Sequence, residues 1–401
     1  MKRKINKVCF VHDHVFRYDE NGDAYSPGAF SVAVWERYFH FSDRLTVCGR
    51  SQNVRSENLG AKFQKVTADN VSFEKLPNII DIKRYFAAKR ESRQRLTQII
   101  QRHDAVICRL PSEQGLLAAS ICRKLGKPYF VEVAGDVWDA LWHRGSLMGK
   151  LYTPLQTLRV RKAIKVAPFV IYVTRDALQR RYPTDGVTTH ASNVVLQETA
   201  PNVLEQKFRK NSERPEVTTL GIIGSPELKY KGVHFAARSL KELAAEGHKL
   251  HLRLLGPGDD KSVSKFLDRL GISDIATYHG TLPPGEPVLQ WIDGLDIYMQ
   301  PSLQEGLPRA TIEAMSRGAV AVGSNVAGIP ELLDSAHVFD RKKPAQLTDI
   351  LRNILGKRDE WDAISKRNFE TAQDYTIGAI SQRRNAFYKD FTDYAFNENG
   401  R

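Results

Sequence analysis

Two glutamates stand eight residues apart in PSLQEGLPRATIEAMSRG: Glu305 just before Gly-Leu-Pro, and Glu313 inside TIEAMSRG. Carboxylates accept paired hydrogen bonds from vicinal diols, and a ribose and a hexose each offer such a diol. Upstream, Lys229 and Lys231 crowd the turn in GIIGSPELKYKGVHFAARSL. Ammonium groups beside a helix start, where unbonded N–H groups gather, suit a phosphate. Phosphate-binding backbone between two diol acceptors is the layout of a nucleotide-sugar site. Plainer readings stand beside this one. Glu305 can serve the macrodipole at a helix start, and the lysines can lie on a solvated turn. Glu313, well inside its helix, is harder to explain that way.

Such side chains need strands and helix starts to hold them. DIYMQPS reads as a strand and TIEAMSRG as a helix ended by Gly318, with Pro308 presetting the entry. In the first half, KVCFVHD, RLTVCGR, DAVICRLP, PYFVEVAGD and PFVIYVT alternate with helical stretches. One of these, SEQGLLAASICRKLGK, has helical apolar spacing and stops at Gly126, making a strand-helix-strand crossover. After a polar segment with two prolines the alternation restarts with TTLGIIG, HLRLLGPG, ATYHG, DIYMQPS and GAVAVGS. The expectation is an α/β chain of two Rossmann-like, doubly wound parallel-sheet domains with a cleft between them, at 1–195 and 217–376. Residues 196–216 read as a linker. The aromatic and basic stretch 377–401 reads as a helix that docks back on the N-terminal domain.

The ordered set DIYMQPS, QEGLPRATIEAMSRG and AGIPELL, with KYKG after a GIIG strand, resembles the retaining glycosyltransferases of family 4, which have the GT-B fold. HLRLLGPG and YHGTL sit where that family expects them. The likeness is strong over 217–335 and continues more thinly through PGAF near Gly28, VICRLPS, PYFVEVAGD and VIYVT. The resemblance implies that Glu305 contacts the donor hexose and Glu313 the nucleotide ribose. It also implies that Lys231 and the N–H groups around Gly306 and Leu307, ahead of Pro308, hold the diphosphate. Gly28 marks an acceptor-side loop. Two positions depart from the family pattern. Ser225 stands where an arginine is common, leaving Lys229 to supply that charge. Ala134-Gly135-Asp136 replaces a stretch that often carries a histidine near the reacting sugar. Asp136 is the nearest polar group, equally suited to cap the helix beginning VWDALWH. The expected catalytic set is therefore Asp136, Glu305 and Lys231.

A sugar nucleoside diphosphate would leave as a diphosphate whose growing charge fixed donors can stabilise. There is no DxD motif, and Asp259, Asp260, Asp293 and Asp296 read as turn and helix-start residues. Neither a metal nor an organic cofactor is expected; the nucleotide sugar enters as substrate. GPG at 256–258 is not a complete GxGxxG, which sets a dinucleotide oxidoreductase aside.

The net charge of +13 lies wholly in the first half: residues 1–200 hold 32 Lys/Arg against 19 Asp/Glu, and residues 201–401 hold 27 of each. KRYFAAKRESRQR (83–95) and RVRKAIKV (159–166) carry much of it. A basic half points to an anionic partner such as membrane phospholipid or a lipid diphosphate, and no nucleic-acid motif accompanies the charge. No apolar run reaches the roughly 18 residues of a membrane span, and VCFV near the N-terminus is too short for a signal peptide. Four cysteines without CxxC spacing fit a reducing cytoplasm. The leading expectation is a cytoplasmic hexosyltransferase, peripheral on the inner face of the plasma membrane. It would extend a lipid-linked glycan in polysaccharide, O-antigen (lipopolysaccharide) or capsule biosynthesis. Alternatives that share the architecture are a binding subunit without turnover and a nucleotide-sugar epimerase.

Overall fold

A computed structural model describes residues 3–27, 30–60, 63–79, 85–138, 147–200 and 202–399. The chain divides into two compact units, Met1–Ala191 together with Ser381–Arg401, and Ser192–Ile380.

The strands of the first unit are β1 (Ile5–Tyr18), β2 (Ala24–Ser26), β3 (Ser42–Asn53), β4 (Gln64–Lys65), β5 (Val71–Leu76), β6 (Ala105–Leu110), β7 (Tyr129–Val133), β8 (Phe169–Tyr172) and β9 (Val187–His190). Seven of them run parallel in the order β5-β3-β1-β6-β7-β8-β9; β2 pairs antiparallel with the end of β1, and β4 antiparallel with β2. Val8 to Val11, Ala105 to Cys108 and every residue of β7 and β8 are buried. That is what a parallel sheet covered by helices on both faces demands. The crossover helix Glu113–Leu125 starts at Ser112, whose Oγ accepts from the Gly115 N–H at 2.7 Å, and ends at Gly126 with φ +62°. Pairing between β1 and β3 slips between Val11 and Val15, which throws His12, Asp13 and His14 into a bulge. Asp13 then reaches the first turn of the crossover helix, accepting from the N–H groups of Glu113 at 2.5 Å and Gln114 at 3.1 Å.

Glu132 is buried in β7, next to the strand's last residue. Its carboxylate takes the Tyr38 hydroxyl at 2.9 Å and the guanidinium groups of Arg109 at 2.8 Å and Arg37 at 3.4 Å. Burial pushes this carboxyl up, but Arg37, Arg109 and Tyr38 together hold it below the usual carboxylate range. From Ser381 onward the C-terminal helix Ile377–Asn399 belongs to the first unit. It seats Tyr388 on Phe41 with ring centroids 4.5 Å apart and Phe391 on Phe130 at 4.9 Å.

The second unit holds β10 (Thr218–Ile223), β11 (Leu250–Leu255), β12 (Ala276–Tyr278), β13 (Ile297–Gln300), β14 (Val320–Ser324) and β15 (Val338–Phe339). All are parallel, in the order β12-β11-β10-β13-β14-β15. Numbered from its own first strand this is 3-2-1-4-5-6, the doubly wound order whose switch point lies between the first and fourth strands. The stretch 196–216 is more than a tether. It contains the helix Val203–Glu213, which belongs to the second unit and whose Lys207 and Lys210 side chains donate to the Leu295 carbonyl at 3.0 and 2.9 Å. The Leu196 N–H also bonds the Tyr375 carbonyl at 2.9 Å. All four cysteines are buried free thiols.

Candidate active site

Lys229, Lys231, Glu305 and Glu313, singled out from the sequence, lie on the segments that follow β10 and β13, the two strands at the switch point of the second sheet. β10 ends at Ile223, and Gly224 follows with φ +145°. A Cβ there would stand 3.0 Å from the Lys231 side chain, so the glycine gives the lysine stem room to lie over the strand end. Residues Lys229–Lys231 form one 3-10 turn and Gly232, φ +74°, starts the helix Val233–Ala245. A Cβ on Gly232 would fall 1.9 Å from the Pro301 carbonyl, which no side chain can occupy. Glycine thus lets the turn after β10 close on the loop after β13. The Leu303 N–H bonds the Tyr230 carbonyl at 2.7 Å, and Arg341 Nη1 holds the Leu303 carbonyl at 3.0 Å.

This closure brings Lys231 and Glu305 together. Lys231 Nζ donates to Glu305 Oε1 at 2.7 Å, with the two side chains 19% and 14% exposed. The same oxygen accepts from Gln300 Nε2 at 3.0 Å and Ser302 Oγ at 2.9 Å. Gln300 is itself buried, its Oε1 accepting from the hydroxyls of Tyr298 at 2.5 Å and Thr311 at 3.2 Å. Thr311 lies on the helix Arg309–Ser316, so this network joins Glu305 to the element that carries Glu313.

Glu313 is half-buried and faces Arg309 at 3.7 Å. Burial pushes its carboxyl above the usual range, with Arg309 opposing. The Tyr298 phenol is raised by burial first, then by the charges of Glu305 and Glu313, so both carboxylates act on one buried ring. The helix Arg309–Ser316 begins at Pro308 with no side-chain cap, and Val233–Ala245 likewise has none. Main-chain N–H groups at both starts therefore remain available to an anion. Gly306 is exposed, and its carbonyl accepts from the Gly328 N–H at 2.9 Å.

Other expected residues fall differently. Lys229 is exposed on the outside of the 3-10 turn, two residues from the lysine that reaches Glu305. The Ser225 carbonyl closes the turn by accepting from the Leu228 N–H at 3.3 Å. Gly28 lies outside the described residues. Asp136, in the first unit, accepts from the Trp138 N–H at 2.7 Å and the Tyr182 hydroxyl at 2.9 Å, and pairs with Arg181 at 2.7 Å. Its two oxygens are committed to shaping the exit of β7. Asp259 caps the helix Asp260–Leu270 through the Ser262 N–H at 3.0 Å, Asp293 pairs with Arg317, and Asp296 accepts from the Thr219 N–H at 2.7 Å.

Gln300, Ser302 and Thr311 were not singled out from the sequence. The available signal was a glutamine closing an otherwise apolar strand, IYMQ, directly before proline. His14 was also passed over. It sits at the β1 bulge with Nε2 2.9 Å from Ser26 Oγ, and burial, with Arg50 and Arg109 nearby, pushes it down to about 4.

Residues 217–357 match the family model for Glycosyl transferases group 1. Protein CapJ of Staphylococcus aureus is 32% identical over 367 residues, which span 90% of each chain. The amylovoran biosynthesis glycosyltransferase AmsK of Erwinia amylovora is 29% identical over 157 residues, 37% of each chain. Among solved structures, Anabaena HepE in complex with UDP superposes with a TM-score of 0.61 at 15% identity, over 94% of this chain and 97% of that one. The fold is that of the GT-B glycosyltransferases, built on two Rossmann-like parallel sheets. With the likeness to CapJ running nearly end to end and the family model lying across the site just described, the chain belongs to the group 1 glycosyl transferases.

Proposed function

We propose that this chain is a retaining transferase of the family 4 type. In this reading it moves a hexose from a UDP- or GDP-linked donor to a glycan acceptor on a lipid diphosphate, in the assembly of a capsule-like surface polysaccharide. The observation that carries the reading is the Lys231–Glu305 pair at 2.7 Å, set across the switch point of the second sheet beside two uncapped helix starts. The name of AmsK, a glycosyltransferase of amylovoran biosynthesis, supports the polysaccharide part. UDP in the HepE complex supports the donor part.

The bond that breaks joins the anomeric carbon to the diphosphate oxygen. Lys231 and the N–H groups around Gly306 and Leu307 would take the charge that grows on the leaving diphosphate, donors already fixed before reaction. Glu305, held by Gln300 and Ser302, would accept from the hexose hydroxyls, and Glu313 from the ribose diol. Ser225 and Lys229 would border the diphosphate from the turn after β10. Asp136 would keep the exit of β7 in shape on the acceptor side. These groups do the work a divalent ion would otherwise do, so the donor is expected to bind without metal. The enzyme would work in the cytoplasm at the inner membrane face; among the described residues no helix is long and apolar enough to cross a membrane.

The test is the melting temperature with UDP, GDP, CMP or NAD, in EDTA. A nucleotide at 100 times its dissociation constant adds about 2.7 kcal/mol. A shift with UDP or GDP that vanishes in Glu313→Ala is expected. No shift with any nucleotide would put a binding subunit without donor chemistry in its place.

A further inference from the structure

The helix Leu147–Lys165 of the first unit is inverted in polarity over its first half. Thr153 and Gln156 face inward, 0% and 6% exposed, and Gln156 Oε1 accepts from Arg159 at 2.7 Å. Outward stand Leu151, Leu155 and Leu158, 72%, 55% and 63% exposed. Their i, i+4, i+7 spacing makes one stripe. The same face continues with exposed Arg161, Lys162 and Lys165, and the helix has no acidic residue. A run of large aliphatic side chains on the outside, with polar groups spent on the inside, marks a surface that meets something apolar.

Beside the stripe a cleft of about 250 Å³ opens among this helix, Tyr85–Gln101 and Glu113–Leu125. Leu116 and Leu117 line its floor, and Lys89, Arg93, Arg123 and Lys162 its rim. Glu113 is the carboxylate in the lining, and Arg159 already takes it at 2.7 and 3.0 Å. Among the described residues, no carboxylate stands within ion-pair range of Arg93, Arg123 or Lys162. On the neighbouring helix Phe86 is 86% exposed.

Apolar side chains flanked by unpaired cations fit the boundary of an anionic bilayer, where acyl chains lie under phosphate. We propose that this face of the first unit docks on anionic phospholipid. Leu151, Leu155, Leu158 and Phe86 enter the acyl boundary, and the cations of the cleft receive a lipid phosphate. The inference rests on the lipid side of the proposed function and is independent of its donor chemistry. A second copy of this chain suits the face less well. A twofold contact would crowd the cations of both protomers into a seam to which the helix Leu147–Lys165 brings no carboxylate from either copy, Glu91 and Glu113 being already paired with Arg95 and Arg159.

The experiment is flotation of the full chain with vesicles of phosphatidylcholine alone or mixed with phosphatidylglycerol, at low and high salt. Wild type should float with the anionic vesicles and be released by salt. The variant L151Q/L155Q/L158Q should stay behind. R93Q/R123Q/K162Q should partition about a hundredfold more weakly, at about fivefold per cation. Both variants change exposed or rim side chains; an unchanged calorimetric transition of the first unit shows that its fold is intact, and an unaltered melting shift with UDP shows that the donor site is. Should the triple leucine variant fail to fold, Leu155→Gln and the cation variant still decide the matter. Equal flotation with neutral vesicles, or variants that float like wild type, would overturn the proposal. So would a solution dimer that the leucine variant dissociates, which would give the face to a second copy. Absence of the UDP shift in a wild type that floats normally would count against the donor reading alone.

Discussion

Gln300 is 1% exposed, and its amide is fully used: Oε1 accepts from Tyr298 and Thr311, and Nε2 donates to Ser302 and Glu305. A buried amide with every partner present fixes the rotamers around it. Here it aims the Glu305 carboxylate at Lys231. Gln300→Leu keeps most of the volume but leaves two buried hydroxyls without this acceptor. The expected loss is about 1–3 kcal/mol of stability, together with a smaller UDP-induced shift because Glu305 has lost a donor. Equilibrium unfolding in urea, with and without UDP, measures both. A variant that unfolds like wild type would mean that the network holds nothing in place. The two lysines of the turn make a related point. Their spacing made both plausible phosphate ligands, but one 3-10 turn sends neighbouring side chains in different directions. Only Lys231 lies along Gly224 toward Glu305.

At the scale of elements, the helix Val203–Glu213 depends on contacts that its own sequence hides. It is mostly polar, and its buried residues are Val203 and Lys207. Burial, then the charge of Lys210, pushes the Lys207 ammonium down from 10.5 to about 8, with Asp296 opposing. The folded value lies below the unfolded one, so the unfolded chain binds the extra proton between them. Stability should therefore rise with pH across that window, by about 3 kcal/mol at 1.36 kcal/mol per pH unit. Lys207→Met should lack this rise while costing little near pH 7, since Lys210 still serves the Leu295 carbonyl. Parallel urea titrations at pH 7 and pH 10 read the difference, and equal rises in both proteins would sink the account. Helices of this kind resist reading from sequence. Pro201 and Pro215 bracket this one as stop signals would, yet without an apolar stripe they look like a linker. The parallel strands were legible because burial on both faces makes them near-continuous apolar runs. The crossover helix was legible from its period and Gly126. The bulge at His12–His14 was not, because its cause is the pull of distant N–H groups on Asp13.

For the whole molecule, each unit has its own apolar core. One is built around Val106, Val131 and Val170, the other around Leu252, Ile297 and Val322. Units that each bury a core of their own can unfold in separate steps, so a single two-state transition is not expected. Lys231, Glu305 and Glu313, proposed to hold the donor, all lie in the unit Ser192–Ile380, whereas Glu132 and its arginines lie in the other. Calorimetry should therefore resolve two transitions that answer to different perturbations. UDP at 100 times its dissociation constant should raise one of them by about 5–10 °C and leave the other in place. Glu132→Gln should lower the second, by roughly 3 kcal/mol, because Arg37 and Arg109 keep their buried charges and lose the carboxylate they share. The pH dependence follows from the same pair. Glu132 has a folded value below 4.5, so its contribution is complete above 4.5 and fades as the pH falls through that lower value. The Glu132→Gln transition should accordingly lose less between pH 5 and pH 3 than the wild-type one. If UDP and the substitution instead move a single common transition, the two cores melt as one cooperative body, and stability cannot be assigned to the units separately.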